Sequence, residues 1–307
     1  MIWEASGRQT RDIMGVAALP RVEAGEAVMT LRDILVIVDE QPSAETRIDV
    51  ALALATEHDA HLTGLYISSP VSLPSYVEAF LTEDMYAIWE VEEKTRAARA
   101  RSGFNERVRR ADRLARSEWR AVSGAPSDVA SVHGRYADLV VVGQADPAAP
   151  QEPFQLEPEA LVFACGRPVM VVPYVGHFDT VGRRVLVGWN GRREAARAVA
   201  DALPILERAQ SVTLLAIDTA PGRAEVGEEA ALGMTRHLAH HGIRAEATHV
   251  IRDPHEVGDT LLNITTDLSC DLIVMGAYGR NRLQSLVLGS LTGFILEHMT
   301  VPVLLSH

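Results

Sequence analysis

The chain has 307 residues, 47% of them hydrophobic and 23% charged, and carries a net charge of −12. That is enough for about two domains of ordinary size. The acidic balance excludes a nucleic-acid or anionic-membrane surface as the main partner, but leaves a local phosphate site open. Aromatic residues make up only 5%, so the core must be built from Val, Leu, Ile and Ala, which favours buried parallel strands under alanine-rich helices.

Residues Met1 to Thr30 show no periodicity and read as a disordered head. The short apolar stretch Ile13 to Leu19 contains Gly15, ends in Pro20 and runs into acidic residues, so it reads as non-secretory. A first strand is predicted over Arg32–Asp39 and a helix over Ala44–His58, with Ile48, Ala51, Leu52 and Ala55 on one face. A second strand covers His61–Ile67. Tyr76, Phe80, Tyr86, Ile88 and Trp89 then lead into a highly charged stretch ending near Arg120, read as a long, partly exposed helix. Ala137–Gly143 is a strand. Its following loop, Gln144 to Pro153, is rich in proline and acid, which removes N–H donors and repels phosphate. Arg167–Val172 closes the first half.

The second half repeats the first in the same order. Arg183–Asn190 answers Arg32–Asp39, Ser211–Ile217 answers His61–Ile67, Cys270–Gly276 answers Ala137–Gly143, and Val301–Ser306 answers Arg167–Val172. Helices are predicted over Arg193–Ala209, Val226–His241 and Glu256–Leu268. The alternation implies an α/β fold, with two tandem, open-twisted, parallel five-stranded sheets carrying helices on both faces. The domains are then 31–176 and 182–307, after a 1–30 head.

The strand ending at Met275 runs into Gly276-Ala277-Tyr278-Gly279, and Gly289-Ser290-Leu291-Thr292 opens a helix. Glycines let main chain approach a ligand, and a helix N-terminus offers unpaired N–H groups, so this stretch reads as an anion cradle. It matches neither G-x-G-x-x-G nor the Walker loop.

The spacing G-x2-G-x9-G-[ST] resembles the ATP-binding motif of the universal stress protein family, and the likeness to its tandem members covers about Leu31 to His307. The resemblance implies a Rossmann-like fold and a bound adenine nucleotide, ATP with or without Mg2+. It places Met275, Gly276 and Gly279 around ribose and phosphate, and Gly289, Ser290, Leu291 and Thr292 on the phosphates. It also implies a nucleoside contact at the end of the first strand, where the first copy has Asp39 and the second Asn190. Ile217 takes the place of an apolar residue packed on the base. The last strand pairs across a dimer-like interface in this family, which implies an internal pseudo-dimer here and leaves room for a homodimer.

Arg280 and Arg282 lie between the glycines and could neutralise a triphosphate; Tyr278 could cover it. His237 and His241 are one helical turn apart but lack a third ligand, so no metal site is assigned. No catalytic constellation is found. Cys165 and Cys270 read as buried free thiols, and nothing requires an oxidising compartment, so a cytoplasmic protein is expected. No apolar run reaches the roughly 18 residues that span a bilayer. The expected function is a stress-response regulator binding ATP or a related nucleotide in its second domain. The alternatives are a slow ATPase at the same site or a scaffold that binds no nucleotide.

Overall fold

The computed structural model describes residues 30–68, 82–148, 156–219, 224–277 and 290–307. The expected disordered head lies outside the described residues apart from Thr30, as do Tyr76, Phe80, Tyr278, Gly279, Arg280, Arg282 and Gly289.

The first half runs β1 (Asp33–Ile37), α1 (Ser43–Glu57), β2 (His61–Ser68), α2 (Glu83–Arg110), β3 (Ser117–Ser123), α3 (Pro126–Gly134), β4 (Leu139–Gly143), α4 (Pro158–Cys165) and β5 (Val169–Val172). The second runs β6 (Arg184–Trp189), α5 (Arg193–Leu206), β7 (Ser211–Asp218), α6 (Ala224–His240), β8 (Ala245–Ile251), α7 (Val257–Asp267), β9 (Leu272–Gly276), α8 (Ser290–His298) and β10 (Val303–Ser306).

The two predicted sheets are one. Strand order is β3-β2-β1-β4-β5-β10-β9-β6-β7-β8, the same sequence of roles read from either end. All neighbours are parallel except β5 and β10, which pair antiparallel with Met170 opposite Leu304. Those two short strands are fully buried and apolar but for Ser306, so each half supplies the other with the partner its last strand would otherwise lack. Apolar layers on both faces cross this seam: Met170 and Leu304 lie in one, Val171 and Val303 in the other. Gln144 ties the halves further, its Nε2 donating to the Leu296 carbonyl at 2.8 Å near the end of α8.

Each half is also pinned at the start of its first strand. Asp138 accepts the N–H groups of Arg32 and Asp33 at 2.8 and 3.1 Å. Asp271 takes those of Gly182, Arg183 and Arg184 and the Thr180 hydroxyl, all within 3.2 Å.

The charged stretch after β2 requires a correction. The helix there ends at Arg110, and residues 117–123, whose first part was expected in that helix, form edge strand β3. An edge strand is half exposed, so Glu118, Trp119 and Arg120 alternate in place of a continuous apolar run. α2 docks through Ala97, Ala100, Phe104 and Val108, at the three- and four-residue spacing of one helix face. Tyr66 Oη donates to Glu93 at 2.8 Å beside this contact.

Candidate functional site at the carboxyl edge of the second half

The chain leaves β6 toward β7 and β8 and returns on the other side to β9 and β10. β6 and β9 therefore flank a topological switch point, where open α/β sheets bind ligands beyond their strand carboxyl ends. Trp189 ends β6 there, Gly276 ends β9, Ser306 ends β10, and Ser290 begins α8.

Asn190 is exposed, and its Oδ1 accepts the Arg192 N–H at 3.1 Å. Asp39 accepts the Gln41 N–H in the same way at 3.0 Å, so asparagine preserves the turn while removing the charge. Ile217 is half-buried against the α7/α8 core, Leu291 packs against the same layer, and Met275 is buried within it. Gly276 is fully enclosed. A Cβ there would overlap the main chain between Glu194 and Ala195, so the close approach this glycine permits is to the first turn of α5. Arg193 beside Glu194 holds that carboxyl below its usual range by a hydrogen bond.

Three polar atoms at this edge are buried without a partner among the described residues: Trp189 Nε1, Thr292 Oγ1 and Ser306 Oγ. Such groups cost free energy unless something satisfies them. The first half gives an internal comparison. Gly276 pairs with Ser306 as Gly143 pairs with Val172, which makes Ser306 and Val172 equivalent. Buried Ile295, Leu296 and Met299 match Leu161, Val162 and Cys165, which sets Thr292 against Pro158. The β1 and β6 registers set Trp189 against Val38. All three polar groups therefore face apolar counterparts in the first half.

The first half fills its own edge differently. A Cβ on Gly143 would meet the Arg47 guanidinium, whose side chain is 6% exposed. Arg47 Nη2 lies 2.8 Å from Asp39 Oδ2, a close ion pair poorly aligned as a hydrogen bond. The position equivalent to Arg47 in α5 is Ala198, which is also buried. An open cleft of about 450 Å³ beside Asp39 is lined in part by Glu40, Glu45, Arg99 and Arg107. Arg107 is already paired with Asp49 and Glu45, so that cleft is not a bare cationic pocket.

Sequence reasoning passed over Trp189, Ser306, Arg47 and Glu194. Aligning the copies position by position would have exposed the first three, because each breaks the polarity of its counterpart. Glu194 needed the helix–strand packing. His237 and His241 meet edge to face at 4.9 Å between ring centroids. No described helix is long and apolar enough to cross a membrane.

The profile of the universal stress protein family matches residues 30–173 and again 182–307. The chain belongs to the universal stress protein family and carries two copies of its domain. It is similar to a universal stress protein of Archaeoglobus fulgidus, at 14% identity over 89% of this chain and 97% of that one, with a TM-score of 0.68. A functionally unknown protein from Pseudomonas aeruginosa PAO1 aligns at 14% identity over 90% and 92%, with a TM-score of 0.53. A universal stress protein from Pseudomonas aeruginosa UCBPP-PA14 aligns at 15% over 90% and 93%, with a TM-score of 0.52. At these identities the likeness concerns the fold. No curated protein matches the chain.

Proposed function

We propose that the second half binds ATP or a related adenine nucleotide at its carboxyl edge and that the protein acts as a nucleotide-dependent regulator. The observation that carries this reading is the asymmetry between the copies. The second half keeps buried Trp189, Thr292 and Ser306, whose polar atoms have no partner among the described residues, where the first has Val38, Pro158 and Val172. The glycine motif lies on the same side of that asymmetry, and the first half lacks it.

In this reading Gly279, Gly289, Ser290, Leu291 and Thr292 hold the phosphates through main-chain N–H and hydroxyl groups, with Arg280 adding charge. Met275 and Gly276 flank the ribose, Ile217 meets the base, and Asn190 offers a neutral hydrogen-bonding group. Asn190 cannot act as a base, and no other group is assigned to orient water, so the role is binding rather than turnover.

Isothermal titration of the full chain with Mg-ATP tests this. Wild type is expected to bind one equivalent. Gly289→Asp, which sets a carboxylate against the phosphates, is expected to abolish the heat while leaving the melting temperature close to wild type. Two equivalents, or unchanged binding by Gly289→Asp, would contradict the assignment.

A further inference from the structure

α2 is longer than its counterpart in the second half, with 28 residues against 17 in α6. Its apolar docking contacts, from Ala97 to Val108, are confined to the latter part of that length. Residues 84–92 are exposed on every side, Ile88 at 67% and Val91 at 64%. The helix nevertheless begins at a capped turn, where Thr82 Oγ1 accepts the Met85 N–H at 3.4 Å. A short run of helix that buries nothing is marginal in water, and exposed aliphatic side chains on it mark a surface that a partner covers.

The face of α2 turned away from its docked side carries Ile88, Val91, Thr95, Ala98 and Ser102, all exposed and at alternating three- and four-residue spacing. That is the spacing of a coiled-coil seam. The seam is graded, with large aliphatic side chains at one end and small ones at the other. Thr95 can sit within it because its hydroxyl already donates to the Val91 carbonyl at 2.8 Å. Charge is graded along the same helix. From Asp84 to Glu93 there are four acids and no base, and from Lys94 to Arg110 seven bases and one acid. A helix with both gradients complements itself when turned end for end, since bulk then meets small side chains and acid meets base. A second copy of this chain is the partner that fits, because each copy supplies what the other needs.

We propose that the chain forms a homodimer through α2, the two helices packing antiparallel about a twofold axis between Thr95 and Ala98. In this register Thr95 packs on Ala98 of the partner subunit, Val91 on the partner's Ser102 and Ile88 on the partner's Asn105. Asp84 meets the partner's Arg109 at the end of the seam, and Glu92 meets the partner's Arg99 beside it. Lys94, which comes near the partner's Arg101, is already paired with Glu90 at 2.6 Å. The surface is separate from the nucleotide site and does not depend on it.

The test is sedimentation equilibrium of the full chain over a concentration series, for wild type, Val91→Asp, Glu92→Arg, Arg99→Glu and the Glu92→Arg/Arg99→Glu double variant, each checked for folding by circular dichroism. Wild type is expected to form a reversible dimer of twice the 33.4 kDa chain mass. Val91→Asp, an exposed position in the single copy, should leave a folded monomer. Glu92→Arg and Arg99→Glu should each weaken the dimer about 10-fold, since each sets two like-charge contacts in place of two ion pairs. The double variant should recover most of that loss. Residues 92 and 99 are about 10.5 Å apart along one helix, too far to pair within a chain, so recovery reports a contact between copies. A wild type that is monomeric throughout, a dimer that survives Val91→Asp, or a double variant no tighter than the single ones would each overturn the proposal.

Discussion

Gly276 and Glu194 meet main chain against main chain, at the point where β9 ends and α5 begins. The equivalent Gly143 instead faces the Arg47 guanidinium, the end of a long side chain. A methyl group at Gly276 has no soft neighbour to displace, and one at Gly143 does. Gly276→Ala is therefore expected to destabilise the protein by about 1–3 kcal/mol, the range for overpacking, and Gly143→Ala by clearly less. Urea melts of the two variants check this, and equal losses would mean that Arg47 is as rigid as backbone.

Asp271 gathers four donors, three of them main-chain N–H groups at the start of β6. Asp271→Ala leaves the linker and the first strand without their shared acceptor and should cost about 3 kcal/mol, as for hydrogen bonds to a charged group. Asp138→Ala removes an acceptor of only two such groups and should cost less. Chemical denaturation orders the two, and the reverse order would show that Asp271 does not pin β6.

His58 is 3% exposed at the end of α1, and burial, aided by the Arg208 charge from the other half, lowers its pKa to about 4. Its folded pKa lies below the unfolded value of 6.5, so between those values the unfolded chain binds more protons. Stability should be complete above pH 6.5 and fall as pH drops toward 4. The loss has an upper limit of about 3 kcal/mol, reduced by whatever screening solvent provides. Thermal melts across that window should show a flatter profile for His58→Leu, and an unchanged slope would assign the acid loss to other groups.

Cys165 and Cys270 are both buried, and desolvation raises both thiol pKa values. Folded protein should react slowly with a thiol reagent at pH 7.5, and unfolded protein quickly with two equivalents. Rapid labelling of the native state at either cysteine would show local opening of that strand entrance.

Much of the fold is legible in the residues because buried parallel strands and amphipathic helices leave opposite signatures. Val36, Leu186, Val141 and Ile273 sit in continuous apolar runs, whereas Ala195, Val199, Leu203 and Leu206 recur at helical spacing. Edge strand β3 was hidden for the converse reason, since charged Glu118 and Arg120 break the apolar run and look like helix surface. The glycine motif was visible because spacing alone defines it. Buried Ser306 and Thr292 were not, because a lone serine or threonine is ordinary until its surroundings are known.

The sequence by itself determined the duplication, the alternation of strand and helix, and which half carries the glycine motif, since each of these is local and repeats at a fixed order. Only the tertiary structure decided that Arg47 lies over Gly143 and that Gly276 receives a helix; that the halves join through their last strands was already implied by the family resemblance. Those facts depend on contacts between residues far apart in the chain, and burial is a property of the folded neighbourhood rather than of any residue in the chain.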